Sequence, residues 1–232
     1  MIVYNYLEFE GYSDIVYEPK GNIPPDFLLN GQIAIEARRL NQHLTKNDKV
    51  EPLERLEYKL IPMLKVLLDE FSEGTHENTS FVCIRYSRPI GKVKECIKDI
   101  RNALVSHLPL LKERGVYKIS DTVEVELLPA STQHTSAYVL GSIMDADAGG
   151  WIVSEVYKNI KIVLEEKSYK VSKYKDNYKE WWLILVDHIG YGLDQIDIKQ
   201  LQELSILTNG WNKVILVSPI NYEHGIEIFS DV

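Results

Sequence analysis

Long apolar runs are missing from this chain. Nowhere do about 20 apolar residues follow one another, the length a bilayer-spanning helix needs, so no membrane span is expected. The first ten residues, Met1-Ile-Val-Tyr-Asn-Tyr-Leu-Glu-Phe-Glu10, carry no basic segment ahead of an apolar one, which speaks against secretion and for a cytoplasmic protein. Cysteine is scarce: Cys83 and Cys96 stand in apolar patterns and outside any CxxC pair, so buried free thiols are expected rather than a disulfide scaffold. The 6 histidines are scattered, with no HxH or HExxH, which leaves a structural zinc site little support. Glycine-rich phosphate loops of the GxxxxGK and GxGxxG types are absent, as is a GxSxG elbow. ATP hydrolysis, dinucleotide binding and serine hydrolysis are therefore disfavoured. A net charge of -8 argues against a protein that coats nucleic acid indiscriminately, because phosphate affinity comes from Lys and Arg. A local basic groove remains compatible with it.

What is present fits a globular α/β protein. At 232 residues, with 45% hydrophobic and 26% charged side chains, the chain can bury a substantial core, and one domain spanning 1–232 is expected. Short strands are predicted at 13–17, 26–29 and 32–38, the last two joined by Asn30-Gly31, a strong short hairpin signal. Helical spacing runs from Pro52 to Phe71, from Val93 to Leu108, from Ser154, as a potential cap, to about Tyr174, and from Ile196 to Leu207. Compact apolar runs at 81–86, 182–186 and 214–217 suit buried strands. Val123, Val125 and Leu127 alternate with Glu124 and Glu126, which predicts a half-exposed strand, paired with 136–143 or left as an edge for a homodimer. The order of elements predicts a central mixed β-sheet flanked by helices on both faces.

One segment could carry chemistry. In Pro24-Pro25-Asp26-Phe27-Leu28-Leu29-Asn30-Gly31-Gln32-Ile33-Ala34-Ile35-Glu36-Ala37-Arg38, alternation puts Ile33, Ile35 and Ala37 on one face of a strand and Glu36 and Arg38 on the other. If the Asn30-Gly31 turn folds this strand back on the one opened by Asp26, two carboxylates converge from neighbouring strands. Such a pair is a hard oxygen site suited to magnesium or manganese. Pro25-Asp26 followed by Glu36-Ala37-Arg38 resembles the signature of the PD-(D/E)xK nuclease superfamily. The resemblance covers about residues 12–41. It implies a restriction-endonuclease-like fold, Mg2+- or Mn2+-dependent cleavage of DNA phosphodiesters, and Asp26 and Glu36 as metal ligands. The pattern has Lys where this chain has Arg38, and Arg cannot readily serve as a base, although it can hold a phosphate. Some members of the superfamily take the lysine from another element. Lys167 lies near the apolar stripe Val156, Ile160, Val163, Leu164, Val171, where it could reach inward as the substitute or snorkel at the stripe's edge.

Plainer readings stand beside each of these. Asp26 after Pro25 can be turn chemistry alone, and Glu36 can pair with Arg38 or Arg39. Seven lysines with four tyrosines between Tyr157 and Lys179 could track a phosphate backbone or form an ordinary solvated face, and Arg85 and Arg88 face the same choice. Asp145-Ala-Asp-Ala-Gly-Gly150 reads as a solvent-exposed turn, and Asp187-His188 as a surface loop after an apolar strand, a place where α/β proteins often contact ligands. Two functional expectations result: an active metal-dependent nuclease, or a nuclease-fold protein that has lost catalysis and serves as a binding module.

Overall fold

The computed structural model describes residues 2–46, 49–72, 77–132 and 134–230. Five helices occur among them: α1 (Ile2–Phe9), α2 (Glu54–Asp69), α3 (Val93–His107), α4 (Ile152–Val171) and α5 (Gln195–Glu203). The strands are β1 (Ile15–Tyr17), β2 (Phe27–Leu29), β3 (Ile33–Leu40), β4 (His43–Lys46), β5 (Lys49–Pro52), β6 (Ser80–Tyr86), β7 (Gly115–Ser120), β8 (Val123–Pro129), β9 (Tyr138–Asp145), β10 (Glu180–Asp187), β11 (Lys213–Val217) and β12 (Gly225–Ser230). Where length alone favours one domain across 1–232, the chain's contacts divide into two compact units. Unit 1 is Met1–His43 with Gly149–Val232, and unit 2 is Leu44–Ala148. Among the described residues no helix is long and apolar enough to cross a membrane.

Unit 1 is built on a six-stranded mixed sheet in the order β1-β2-β3-β10-β11-β12. β3, β10 and β11 run parallel, and antiparallel strands close both edges. β10, Glu-Trp-Trp-Leu-Ile-Leu-Val-Asp, is buried on both faces because helices cover each. Trp182, Ile184 and Val186 pack with Val3, Tyr6 and Leu7 of α1 on one side. Trp181, Leu183 and Leu185 pack with Val156, Ile160, Val163 and Leu164 of α4 and Leu201 of α5 on the other. Each fully buried aliphatic side chain of this kind contributes roughly 1.5–3 kcal/mol. α4 begins at Ile152, ahead of Ser154, and no side chain caps it. α5 does have a cap: Asp194 Oδ1 accepts from the backbone N–H groups of Ile196 and Asp197, 2.8 Å each.

Unit 2 carries a four-stranded sheet, β7-β8-β6-β9, and β4 and β5 form a separate two-stranded ribbon. Leu60, Leu64 and Leu67 of α2 and Cys96, Ile100 and Leu104 of α3 pack on Val82, Ile84, Val123, Val125 and Leu127. Both cysteines are free thiols. The sequence expectation for 123–129 needs correction in two respects. β8 is an interior strand between β7 and β6, so it offers no edge for a homodimer, and β9 pairs in parallel with β6 rather than with β8. Its alternation arises from the faces of the sheet: the valines point to α2 and α3, whereas Glu124 on the other face is exposed. The segment expected as a solvent-exposed turn is also more than that. The side chain of Asp145, only 4% exposed, and that of Asp147 bind the Arg88 guanidinium at 2.7 and 3.2 Å, and Leu53 O accepts from Arg88 Nη2 at 2.6 Å. Arg88 is thereby a structural tie of unit 2.

Candidate metal and phosphate site

The candidate site lies wholly within unit 1, and a tight turn sets it up. Asn30 and Gly31 take positive φ angles of 48° and 65°, and Gln32 N–H donates to Leu29 O at 2.9 Å, so β3 folds back along β2. The antiparallel register pairs Leu29 with Ile33 and Phe27 with Ile35. One step further along that register, Asp26 stands opposite Glu36. Residues directly opposite in an antiparallel pair project from the same face, and two like charges so placed repel unless a cation lies between them.

That cation is Lys167. Its Nζ lies 2.6 Å from Glu36 Oε2 and 3.7 Å from Asp26 Oδ2, and it donates to Ala37 O at 3.2 Å. Lys170, one turn on, brings a second ammonium to Glu36 Oε2 at 3.1 Å. The pleat supplies the encounter: Ala34 and Leu40 pack against α4, so Glu36, in phase with both, meets the same helix. Asp26 has a further task. Its Oδ2 accepts from Ala37 N–H at 2.8 Å, filling the place where β2 no longer offers a backbone acceptor.

Burial differs sharply around the cluster. Glu36 is 0% exposed and the Lys167 side chain 7%, whereas Asp26 and Lys170 reach solvent at 33% and 47%. Glu36 Oε1 is buried and has no hydrogen-bond partner. An orphaned carboxylate oxygen at full burial costs free energy unless something electropositive meets it. A divalent cation fits that requirement, with Asp26 and Glu36 as its carboxylate donors. Among the described residues no group of three or more His, Cys, Asp or Glu side chains could hold an ion. The remaining ligands would have to be backbone carbonyl, water or substrate oxygens, a donor set that suits magnesium, which keeps several waters.

Arg38 does not join this cluster. Its guanidinium forms two parallel hydrogen bonds with Glu166 of α4, at 2.9 and 3.1 Å, in a pair open to solvent. Glu36 therefore takes its partners from α4, not the Arg38 considered from sequence. The structure brings Asp26, Glu36 and Lys167 together and leaves Arg38 beside them. No protein-family model, curated protein or solved structure matches the chain.

Lys170 and Glu166 are the site residues that sequence reasoning passed over. Lys170 had a signal, since it follows Lys167 at helical spacing and shares its side of the helix. Three other lysines of the basic stretch have partners of their own. Lys158 sits 3.6 Å from Glu155, Lys161 lies over the Tyr157 ring at 5.0 Å, and Lys175 donates to the carbonyls of Asn209 and Gly210.

Proposed function

We propose that this chain is a divalent-metal-dependent nuclease of the PD-(D/E)xK, restriction-endonuclease-like kind, acting on DNA phosphodiesters. The observation that carries the reading is the meeting of Asp26, Glu36 and Lys167, two carboxylates from adjacent strands and a lysine from α4. This supplies the acidic pair of the motif together with a lysine from elsewhere in place of the one that Arg38 displaces. Mg2+ or Mn2+ held by Asp26 and Glu36 would polarise the phosphodiester and lower the pKa of a water. Lys167 has three N–H donors. Once Asp26 has turned from it to the ion, it can orient the attacking water or meet negative charge developing on phosphate. Arg38 can hold a neighbouring phosphate only by exchanging the Glu166 carboxylate for it, an exchange made easier by the solvent exposure of both partners.

A second reading has its own support. Two ammonium groups already close on Glu36 Oε2, which suits a degenerate site in a binding module that needs no metal. Titration calorimetry with Mn2+ and Mg2+ on the wild type and on Glu36→Gln, with plasmid nicking followed in the same samples, separates the two. The nuclease predicts that binding and nicking occur in the wild type and are lost together in the variant. Metal binding without nicking supports a site that keeps its ion but has lost catalysis, and absence of both supports the module in which Lys167 and Lys170 stand where a metal would.

A further inference from the structure

Glu166, Lys167 and Lys170 of α4 all meet charged side chains of β3, and they are not held alike. Lys167 is buried, binds Glu36 Oε2 at 2.6 Å and also donates to Ala37 O at 3.2 Å. Lys170 is half-exposed and is bound through the same Glu36 oxygen, at 3.1 Å. Two ammonium groups on one oxygen repel each other, so the second contact adds less than the first. Glu166 takes the Arg38 guanidinium in a two-bond fork at 2.9 and 3.1 Å, with both side chains open to solvent.

Any cation accepted by Glu36 repels both ammonium groups, and Lys170 is the one with the weaker hold and a path to solvent. Its own helix offers the next partner. Glu166 precedes Lys170 by four residues within α4, and Glu four residues ahead of Lys is the favoured order for an ion pair on a helix surface. Solvent-exposed pairs are worth little, so the Glu166 carboxylate can trade the Arg38 fork for the Lys170 ammonium at small cost. Arg38 is then left with a free planar fork, a shape that matches phosphate. We propose that loading Asp26 and Glu36 with Mg2+ or Mn2+ moves Lys170 from Glu36 to Glu166 and so frees Arg38 to hold a phosphate. Substrate contact through Arg38 is thereby made only when the metal is in place. The proposal rests on the nuclease reading.

The test is a titration of the full chain with Mg2+ alone, no nucleic acid added, on the wild type and on Lys170→Gln. Calorimetry reads the binding, and NMR reads how fast the Arg38 Nη protons, held by the fork on Glu166, exchange with water. In the wild type, bound Mg2+ is expected to speed that exchange several-fold. Lys170→Gln is expected to bind Mg2+ about two- to fivefold tighter, because no ammonium has to be moved, and to leave the Arg38 protons as slow as before. Four results overturn the partner swap and leave the nuclease reading in place: Mg2+ bound by the wild type with the Arg38 protons still held, an equal acceleration in the variant, binding in the variant no tighter than in the wild type, or binding in the variant alone. Binding by neither protein overturns both. Should the variant fail to fold, the Arg38 protons of the wild type decide the matter alone.

Discussion

Glu36 and Lys167 form a deeply buried ion pair, and burial makes such a pair asymmetric. Taking one partner away leaves a charge in a low-dielectric interior, which costs far more than the intact pair contributes. Lys167→Met is expected to destabilise unit 1 by about 3–5 kcal/mol in urea unfolding, with much of the loss recovered when Glu36→Gln is added. The four tryptophans, at 151, 181, 182 and 211, all belong to unit 1, so their emission reports it. A small loss in Lys167→Met would mean that Lys170 swings in to replace it. His107 of unit 2 is a buried group of another kind. Burial holds its pKa below the ordinary 6.5, against an opposing pull from the Glu113 carbonyl and carboxylate. Its Nδ1 lies 3.1 Å from the Tyr117 hydroxyl, and its Nε2 has no partner. Because the folded chain disfavours the proton, the unfolded chain takes it up first. Stability is thus full above about pH 6.5 and declines as pH falls, until the folded ring itself is protonated. Far-UV dichroism in urea across this range should show a steeper acid loss for wild type than for His107→Gln, and equal slopes would remove His107 as the cause.

At the scale of elements, the Asn30-Gly31 turn is what brings Asp26 opposite Glu36, and its cost is purely backbone. Gly31 has φ 65° with nothing within 4 Å of a Cβ placed there, so Gly31→Val meets no neighbour but forces a branched side chain into the left-handed region. The expected loss is about 1–2 kcal/mol in urea unfolding by tryptophan emission, and a neutral result would mean that the turn is not held at this geometry in solution. This turn was legible in the sequence because Asn-Gly is a local signal. So was the facing of Glu36 and Arg38, because a strand's pleat has period two. What lay beyond local reading was which partners the third dimension delivers. Nothing within 33–40 says that Glu36 will meet α4 rather than Arg38, and Lys167 could be named only as one of two outcomes for a lysine at a stripe's edge. The same holds for β8. Alternation reports one covered face but not position in the sheet, so an interior strand with a solvated face looks like an edge. Helix α1 and strands β7 and β12 escaped prediction because none is a compact apolar run like those at 81–86, 182–186 and 214–217 and none shows a period over more than eight residues.

The whole chain presents an ordering problem that no single element shows. Unit 1 is made from both ends of the sequence, with unit 2 between them, and its central pairing joins β3 to β10 through eight consecutive residue pairs from Ile33–Glu180 to Leu40–Asp187. Until β10 is available, β3 has only the three-residue β2 beside it, and Glu36 has neither Lys167 nor Lys170. A meander whose first two strands, β1 and β2, have three residues each, and which holds an unpaired carboxylate, is too small to be stable in water. Unit 2, in contrast, draws its sheet and both covering helices from the contiguous stretch Leu44–Ala148. Loop-closure entropy therefore weighs on unit 1 far more than on unit 2. A chain ending at Ala148 is expected to show rapid hydrogen exchange throughout residues 2–43 while β6 and β8 stay protected. Protection of Ile33–Leu40 in that truncated chain would mean that the β2–β3 hairpin and α1 suffice to order the acidic pair, and that α4 arrives at a site already formed.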